Sequence, residues 1–508
     1  MMLTPAFFNV TLRFLTSSTG TIKNDSNPTP RSTPASQWTA NEAWEWFDRQ
    51  GFQQGANFLP STAANQFEMF GNDNGLDEAT IERELRWAAD LGYTAMRVFL
   101  HNDLYTENAD AFLDRVDRYL ALSTDCCNIQ TVLVLFDGCW DPVVRHPTEH
   151  ANGHHHHHQY RPSDSRNHTV LAASRATQQV TTDTPFPSLP IRPHVHNSRW
   201  VQAPGKDILV NTSAHDELLR PYIQSVVRRF GKDDRVLMLD LFNEPDAPNH
   251  GSYGTDGPRV ASAQDAYGTE LDLTVKYDAL QKLIPAVFQW ARDIGPITVP
   301  LTIGQFGHEQ MPTEPLHEWY VQQSDVISFH NYDPFPIMAK EVDDLLQRYG
   351  RPVVCTEYMA RTVNSTFDPI LGFLYQKRVW AFNWGLVAGR MQTQYPWDSW
   401  SLEYDDEPSL WHHDVLRPNG TVYSESEKDY LLSYRTSVVQ DVKYPYPHVA
   451  WDVSVAVLCV LWLMAIVLVK ASRYRERQGH PYWLQRWQRL PTEAPQDMLA
   501  TRAPFRMD

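Results

Sequence analysis

The chain has 508 residues, of which 42% are hydrophobic and 21% charged, and this composition is that of a folded protein rather than a disordered one. The length exceeds most single compact domains but fits one large domain with appended segments. A formal net charge of −17 is opposite to what nucleic-acid binding requires, and no glycine-rich phosphate-binding pattern occurs, so neither a nucleic-acid partner nor a nucleotide cofactor is expected.

The first 37 residues are predicted to form a flexible segment. Residues 17–37 are rich in Ser, Thr, Pro and Asn, a composition that does not build a packed core. The preceding stretch, MMLTPAFFNVTLRFL, makes a poor signal peptide because Arg13 interrupts its apolar residues. Either it acts as a weak signal or the natural N-terminus differs.

From Trp38 onward, short apolar runs alternate with longer amphipathic stretches, which is typical of repeated strand–helix units around a parallel sheet. The runs are continuously apolar, as expected for strands buried on both faces. Eight strands are predicted, at Gly55–Leu59, Thr94–Leu100, Thr131–Asp137, Val236–Asn243, Ile297–Ile303, Val326–Asn331, Pro352–Glu357 and Val379–Trp384. Helices are predicted at Asp77–Leu91, Ala109–Thr124, Asp216–Phe230, Leu273–Asp293 and Val342–Tyr349. These elements predict an α/β fold, a (β/α)8 TIM barrel over residues 38–436.

The connection after the third predicted strand is much longer than the others. Residues 138–214 separate that strand from the next helix, and about 146–193 are predicted to be an insertion. Its five-histidine run at 154–158 could bind metal, but a low-complexity loop is favoured because no acidic partners occur at fixed spacing. Ordered character returns at Val195, and no metal site is predicted.

A single C-terminal transmembrane helix is predicted at 449–470, after a linker at 437–448. Val453–Val469 is an apolar run interrupted only by Ser454, and extending it back to Val449 gives a helix of about 31 Å. Trp451 lies at the upstream edge, and four basic residues follow the run: Lys470, Arg473, Arg475 and Arg477. We therefore expect a single-pass membrane protein with a cytoplasmic tail at 471–508 and an extracellular or lumenal main domain. A buried core helix is the alternative, which the length of the run disfavours.

N-glycosylation sequons agree with this orientation because all six precede the predicted span. They begin at Asn9, Asn24, Asn167, Asn211, Asn364 and Asn419. The chain is therefore expected to be a glycoprotein.

The five cysteines lack paired metal-ligand spacing, which argues against a structural zinc site or a disulfide scaffold. Cys459 lies inside the apolar run. One disulfide among the other four, Cys126, Cys127, Cys139 and Cys355, remains open.

Polar residues end most of the predicted strands, and barrel enzymes carry their active residues at the carboxyl ends of strands. The candidates in chain order are Arg97, His101, Asp137, Trp140, Asn243, Glu244, His330, Tyr332, Glu357 and Trp384. Two glutamates on separate strands of one rim meet the needs of glycoside hydrolysis, in which one protonates the leaving oxygen and the other attacks or activates water. The residues alone do not decide between retention and inversion.

The series R-V, N-E-P, F-H-N-Y, T-E-Y and N-W at these strand ends resembles the cellulase-like glycoside hydrolases, most closely glycoside hydrolase family 5. The resemblance covers about residues 38–435 apart from the insertion. It implies a retaining enzyme with its two glutamates after strands four and seven. Glu244 would then be the acid/base and Glu357 the nucleophile, with a β-linked polysaccharide or oligosaccharide as substrate and no cofactor.

The resemblance also implies roles for the neighbouring residues. Asn243 would bond the sugar 2-hydroxyl, and Trp384 would form the platform under the sugar. Arg97 and Tyr332 would keep Glu357 ionised by lowering its pKa, whereas the pKa of Glu244 would be raised so that it retains its proton. His330 would belong to the hydrogen-bond network of the acid/base.

Alternatives remain for several of these residues. Arg97 could form a structural ion pair, and His330 alone could be a core histidine. Asp137 could bind sugar hydroxyls or cap the following turn. Trp140, with Trp200, Trp397 and Trp400, could line the cleft as further sugar subsites or simply pack.

Three functions are consistent with these features of the sequence. The first is a membrane-anchored endo-β-1,4-glucanase or endo-β-1,4-mannanase. The second is a cell-surface glycan transglycosylase that uses the same site. The third is an inactive sugar-binding membrane protein, because barrels host many functions.

Overall fold

The computed structural model describes residues 36–71, 75–141, 191–247, 270–306 and 314–434. Eight parallel strands close into a barrel in which each strand pairs with the next along the chain and the last pairs with the first. They are β1 (Gln54–Asn57), β2 (Ala95–Phe99), β3 (Gln130–Val134), β4 (Val236–Asn243), β5 (Leu301–Gln305), β6 (Ile327–His330), β7 (Val353–Tyr358) and β8 (Trp380–Asn383). The predicted (β/α)8 barrel and all eight of its strands are confirmed.

The strand register brings the polar strand ends together. Asn57 of β1 lies opposite Arg97 of β2, and His330 of β6 lies opposite Glu357 of β7. The ladders β4–β5, β6–β7 and β7–β8 contain register shifts near their carboxyl ends. Such irregularities re-aim side chains at barrel rims, and here they fall beside the candidate residues.

Thirteen α-helices surround the strands within the described residues. They are α1 (Ala40–Gln50), α2 (Gln66–Phe70), α3 (Glu78–Asp90), α4 (Asn102–Glu107), α5 (Ala109–Cys127), α6 (Lys206–Val210), α7 (His215–Leu218), α8 (Arg220–Phe230), α9 (Glu270–Arg292), α10 (Glu314–Gln323), α11 (Phe335–Tyr349), α12 (Phe367–Gln376) and α13 (Glu425–Ser433). Several of these helices begin after a capping side chain. Asp77 and Asn108, for example, accept hydrogen bonds from backbone N–H groups in the first turns of α3 and α5. In α3 the residues Ile81, Leu85 and Ala88 are fully buried, which is the one-sided spacing of a helix packed on a sheet.

Among the predicted boundaries that differ from the structure, three lie next to a proline. The fifth strand begins at Leu301 rather than Ile297, directly after Pro300, which has no N–H to donate to a ladder. The helix predicted at 216–230 is divided at Leu219, with Pro221 in the first turn of α8. The helix predicted from Val342 begins at Phe335, because Pro336 falls in its first turn, where a proline is tolerated.

Helix α1 packs against the amino-terminal end of β8. Its Phe47 ring stacks on Trp380, the first residue of β8, with ring centroids 4.7 Å apart, and Trp46 packs on the same indole at 5.2 Å. The Trp380 Nε1–H donates to the Gly51 carbonyl oxygen. These contacts fix α1 against the first residue of β8.

A disulfide joins the adjacent residues Cys126 and Cys127 at the end of α5, whereas Cys139 and Cys355 are free thiols. The pairing is thus one of those that the sequence left open. Among the described helices, none has both the length and the apolar character needed to cross a membrane. The predicted span at 449–470, residues 1–35 of the flexible segment predicted at 1–37, the histidine run and most of the insertion lie outside the described residues and stay predictions.

Candidate active site

Glu244 and Glu357 meet at the carboxyl-terminal rim of the barrel. Glu244 directly follows β4, and Glu357 is the fifth residue of β7. Both are buried, with 9% and 6% of their side-chain surface exposed. A carboxylate oxygen of each lies within 4.8 Å of one from the other, and of a ring nitrogen of His330. The structure therefore brings together the two glutamates that the sequence singled out.

The backbone at Glu244 is held in an unusual conformation, with φ at 40°, in the left-handed region that non-glycine residues rarely adopt. Its N–H donates to the Gly304 carbonyl oxygen at 2.8 Å. On the other side, Gly138 approaches so closely that an added Cβ would lie 2.0 Å from the Glu244 carbonyl oxygen. A glycine is therefore required at position 138, because the two backbone segments approach each other so closely. The contacts on both sides of Glu244 fix the direction of its side chain.

Arg97 is the fully buried centre of the polar network, and all five of its N–H donors are used. Nη1 donates to Glu357 Oε1 and to Asn57 Oδ1, each at 2.8 Å. Nη2 donates to Asp240 Oδ2 at 2.7 Å and to Asn243 Oδ1 at 2.6 Å, and Nε donates to the same Asp240 oxygen at 3.2 Å. Arg97 thus forms the buried ion pair considered from sequence, with Asp240, and also contacts Glu357.

Glu357 receives two donors on its two oxygens. Besides Arg97 on Oε1, the Tyr332 hydroxyl donates to Oε2 at 2.8 Å. His330 Nδ1 lies 3.5 Å from the same Oε2. A carboxylate with a cation on one oxygen and a phenol on the other is oriented and stabilised in its charged form.

Glu244 has a different and weaker set of partners. The Cys139 thiol donates to Oε2 at 2.7 Å, and His330 Nδ1 lies 2.5 Å from Oε1. Burial lowers the pKa of His330 to about 4, so its ring is neutral near pH 7. Glu244 therefore has neutral neighbours on both oxygens, which disfavours its charged form relative to that of Glu357.

The expectation of opposite pKa shifts is only half right. Burial raises the pKa of Glu244 to about 7, as expected for a proton donor. Burial also raises the pKa of Glu357 to about 7, although Arg97 and Tyr332 act in the predicted lowering direction. The prediction for Glu357 is wrong because removal of water from the barrel mouth, together with the nearby Glu244 charge, outweighs its donors. The pair therefore holds one proton near neutral pH.

Asp137 and Asn243 form the polar link between β3 and β4. Asn243 Nδ2 donates to Asp137 Oδ1 at 2.9 Å, while its Oδ1 accepts from Arg97. The Cys139 N–H donates to Asp137 Oδ1 at 2.9 Å, and Trp200 Nε1 donates to Oδ2 at 2.5 Å. Asp137 therefore caps the turn after β3, which is one of the two roles considered from sequence. Burial raises its pKa to about 6.

The tryptophans differ in how far they are covered. Trp384 is 6% exposed and packs edge-to-face against Phe99 and Trp200, with centroids 5.7 and 5.6 Å away. Trp140 is half-buried, and its ring stacks on that of Trp400 at 5.5 Å with an interplanar angle of 9°. Trp384, Trp200 and Trp400 thus each contact another aromatic ring and are buried, whereas Trp140 is only half-buried.

Trp397 is also half-buried and belongs to the short 3-10 helix Trp397–Trp400. It packs edge-to-face on Tyr332 at 5.3 Å and on His412 at 4.5 Å. This loop after β8 thus supports the tyrosine that contacts Glu357.

His101 has a local structural role in the described contacts. Its Nδ1 accepts from the Asp103 N–H at the start of α4, and its Nε2 lies 3.0 Å from the Gln202 carbonyl oxygen. The fully buried ring packs against Phe67 at 4.3 Å. Both nitrogens are engaged with the backbone, so His101 fixes the loop after β2.

Three contacts of the site were missed from sequence. Asp240 lies within the apolar run of β4, and a charge at such a position is a signal for a buried partner. The Cys139 thiol contact with Glu244 has no residue-type rule that would predict it. Lys276 of α9 is buried, and it donates to the carbonyl oxygens of Gly138 and Ala247 at 2.9 and 2.6 Å. It thus contacts the two loops on either side of Glu244. Burial lowers the pKa of Lys276 to about 8.

Glu244, His330 and Glu357 are also the residue types that could hold a metal ion, and their ligand atoms are close enough to do so. Cys139, Arg97 and Tyr332 each donate to one of the four carboxylate oxygens of this glutamate pair. The same atoms also fit acid–base chemistry.

Comparison with known proteins finds similar solved structures at low sequence identity. No family model matches the sequence, and no curated protein is similar to it. Similar solved structures include GH5_18 from Streptomyces cattleya in complex with Manβ1-4GlcNAc, with a TM-score of 0.43, 13% identity, and coverage of 77% of this chain and 83% of that one.

Two further structures are similar at the same level. The endo-β-1,4-mannanase from Thermotoga petrophila has a TM-score of 0.41 and 13% identity, covering 78% of this chain and 80% of that one. A GH5 xyloglucan-specific endo-β-1,4-glucanase from a metagenomic library, in complex with cellotriose, has a TM-score of 0.42 and 15% identity, covering 78% and 100%. They include members of the family that the sequence resembles, but likeness at this level carries no argument, so function is argued from the site.

Proposed function

We propose that this protein is a retaining β-glycoside hydrolase in which Glu244 is the acid/base and Glu357 the nucleophile. The observation that carries the proposal is the pair of buried carboxyls at the ends of β4 and β7, with oxygens within 4.8 Å of each other and with unequal partners. Paired carboxyls at the rim of a barrel are the groups that glycoside hydrolysis uses.

Retention is favoured by the short separation. Retaining enzymes hold the two carboxyl groups about 5–5.5 Å apart, whereas inverting enzymes leave about 6.5–9.5 Å for a water molecule between them. An oxygen–oxygen separation within 4.8 Å supports direct attack by one carboxylate.

The unequal partners assign the two roles. Glu357, with Arg97 and Tyr332 on its oxygens, carries the negative charge of the pair. Glu244, with a neutral thiol and a neutral imidazole, carries the proton. Only in this distribution does each carboxyl have the neighbours that its charge state needs.

The reaction then has two steps. Glu357 attacks the anomeric carbon while the bond to the glycosidic oxygen breaks, and Glu244 gives its proton to that leaving oxygen. In the second step Glu244 removes a proton from water, the water oxygen attacks the anomeric carbon, and Glu357 leaves as a carboxylate. Together the two steps return the enzyme to its starting protonation state.

The supporting residues orient this pair. Arg97 and Tyr332 hold the nucleophile, His330 holds the acid/base, and Asn243 lies between Arg97 and Asp137 where it can contact a sugar hydroxyl. Trp384 at the end of β8 would pack under the sugar, with Trp140 as a further sugar contact.

The substrate that we propose is a β-1,4-linked glucan or mannan cut at internal positions. The test is a screen of the full-length protein in detergent against cellulose, mannan, xylan and β-1,3-glucan, with chromatography of the products. Glu244→Gln and Glu357→Gln should each abolish activity. Glu84→Gln is the matched control because Glu84 is a buried carboxyl of α3 that bonds Ser61 instead.

The screen also separates the alternatives. Products longer than the starting oligosaccharide would indicate transglycosylation. Binding without any product would indicate an inactive sugar-binding protein. Near-normal turnover by either Gln variant would contradict the assignment of the two glutamates.

We also propose that the enzyme acts outside the cell or in a lumenal compartment, tethered by residues 449–470. The sequons at Asn211, Asn364 and Asn419 support this setting because all three asparagines are exposed. Digestion of intact vesicles with protease tests it. The tail at 471–508 should be cleaved only from the cytoplasmic side, and the three asparagines should carry glycans that a glycosidase removes. Cleavage of the tail from the other side would overturn this topology.

A further inference from the structure

The Cys139 thiol is the partner of Glu244 for which neither the sequence nor the proposed mechanism gives a role. Its Sγ lies 2.7 Å from Glu244 Oε2 and donates to it. The other oxygen, Oε1, faces His330 Nδ1. The two oxygens of the acid/base therefore have different neighbours.

The thiol is built into the rim between β3 and β4. The Cys139 N–H donates to Asp137 Oδ1, and the preceding Gly138 N–H donates to the Asn243 carbonyl oxygen at 2.7 Å. Lys276 holds the Gly138 carbonyl oxygen. The backbone on both sides of the thiol is thus fixed to the strand that ends in Glu244, so the sulfur cannot easily move away from the carboxyl.

Burial and the neighbouring Glu244 carboxyl raise the pKa of the Cys139 thiol well above its ordinary value. The sulfur therefore keeps its proton throughout the working pH range and acts only as a donor. A hydrogen bond to the charged form of a carboxyl favours that form, and here it opposes the effect of burial on Glu244.

We propose that Cys139 is a positioning residue for Glu244: its thiol holds the carboxyl with Oε2 as hydrogen-bond acceptor and stabilises the carboxylate that remains after proton delivery. The inference rests on the proposed acid/base role of Glu244, but the contact can be measured without any substrate.

The kinetic consequence is a shift in one limb of the pH profile. Glu244 must be protonated for the first step, so its ionisation produces the alkaline limb of kcat/KM. In Cys139→Ala the carboxylate loses a donor, and the limb moves to higher pH by about one unit, a tenfold change in the ionisation constant. Cys139→Ser keeps a donor at the same position and should keep the alkaline limb near that of the wild type.

A spectroscopic measurement makes the test independent of activity. The difference infrared spectrum between wild type and Glu244→Gln isolates the carboxyl band of Glu244, and its pH titration gives the midpoint of ionisation. The midpoint should be higher by about one unit in Cys139→Ala than in wild type. The S–H stretching band of Cys139 should also shift in Glu244→Gln, because the acceptor changes from a carboxyl to an amide.

The outcomes separate the two claims. A higher midpoint in Cys139→Ala, restored in Cys139→Ser, supports the inference even if no β-glycoside is hydrolysed, in which case the proposed function fails alone. An active enzyme whose midpoint and alkaline limb do not move in folded Cys139→Ala overturns the inference and leaves the function standing. If Cys139→Ala does not fold, an S–H band that is identical in wild type and Glu244→Gln overturns it as well.

Discussion

Replacing Tyr332 with phenylalanine isolates the hydrogen bond that favours the charged form of Glu357. The hydroxyl donates to Glu357 Oε2 at 2.8 Å, and Glu357 is 6% exposed, so water cannot easily replace the lost donor. The ring itself is kept, and with it the packing on Trp397 and His413 at 5.3 and 5.5 Å. The change therefore removes one donor and little else.

The magnitude follows from the charge on the acceptor. A hydrogen bond to a charged group contributes about 1.5–3 kcal/mol. One pH unit corresponds to about 1.4 kcal/mol, so the pKa of Glu357 should rise by about 1–2 units above its value of about 7 in the wild type. Glu357 must be ionised to attack, so the acidic limb of kcat/KM moves to higher pH by that amount. At pH values below the limb, kcat/KM falls about ten- to a hundredfold, and the deficit shrinks as pH rises.

The assay is the pH dependence of kcat/KM on the best substrate from the polysaccharide screen, with thermal melting as a check on folding. Tyr105→Phe is the matched control, since the Tyr105 hydroxyl contacts Ser225 on the outer helices at 2.9 Å and should leave the profile unchanged. A folded Tyr332→Phe variant whose acidic limb coincides with that of the wild type would refute the role given to this hydrogen bond.

Three further predictions concern stability, backbone geometry and substrate contact. The pKa of Glu244 is raised from 4.5 to about 7, so the folded state binds more protons than the unfolded state across that interval and stability falls as pH rises through it. Glu244→Gln should therefore raise the free energy of unfolding by up to about 3 kcal/mol at pH 8 and by almost nothing at pH 4. An equal gain in stability at pH 8 and at pH 4, measured by thermal melting, would contradict this. Gly138→Ala places a Cβ 2.0 Å from the Glu244 carbonyl oxygen, so it should lower stability by about 1–3 kcal/mol and abolish activity, and an active variant with unchanged melting would be evidence against the close approach. Trp140→Ala should raise KM for longer oligosaccharides about tenfold while kcat is retained, and a lower melting temperature with unchanged KM would leave only a packing role.

The sequence predicts the barrel well because its strands are buried on both faces. Each strand is a short, continuously apolar run, and a polar residue at its end signals the rim. The register of β6 and β7 places His330 opposite Glu357, and closure of the barrel brings Arg97 into hydrogen-bond contact with Glu357.

The charge states of the site could not be read in the same way. Residue types predicted the lowering effect of Arg97 and Tyr332 on the pKa of Glu357, but not the extent to which the barrel mouth removes water from that carboxyl. The depth of burial depends on how loops fold back over the rim, such as the segment that carries Trp200 and packs on Trp384. That is a property of tertiary structure.

The sequence pattern also did not predict which side chains contact Glu244 and His101. Cys139 lies two residues after Asp137. Its thiol reaches Glu244 because Gly138 allows the two backbone segments to approach each other closely. His101 shows the reverse case, since a strand-end histidine turned out to bond the backbone of Asp103 and Gln202.

The most direct test of the central claim is to trap the covalent intermediate on Glu357. A β-glycoside with fluorine in place of the 2-hydroxyl and a good leaving group slows both steps, so that a glycosyl group accumulates on the nucleophile. Mass spectrometry of peptides from the treated full-length protein should then find one added glycosyl unit on Glu357, and none in Glu357→Gln. An active protein with no adduct, or with the adduct on another residue, would contradict the assignment of Glu357 as the nucleophile of a retaining enzyme.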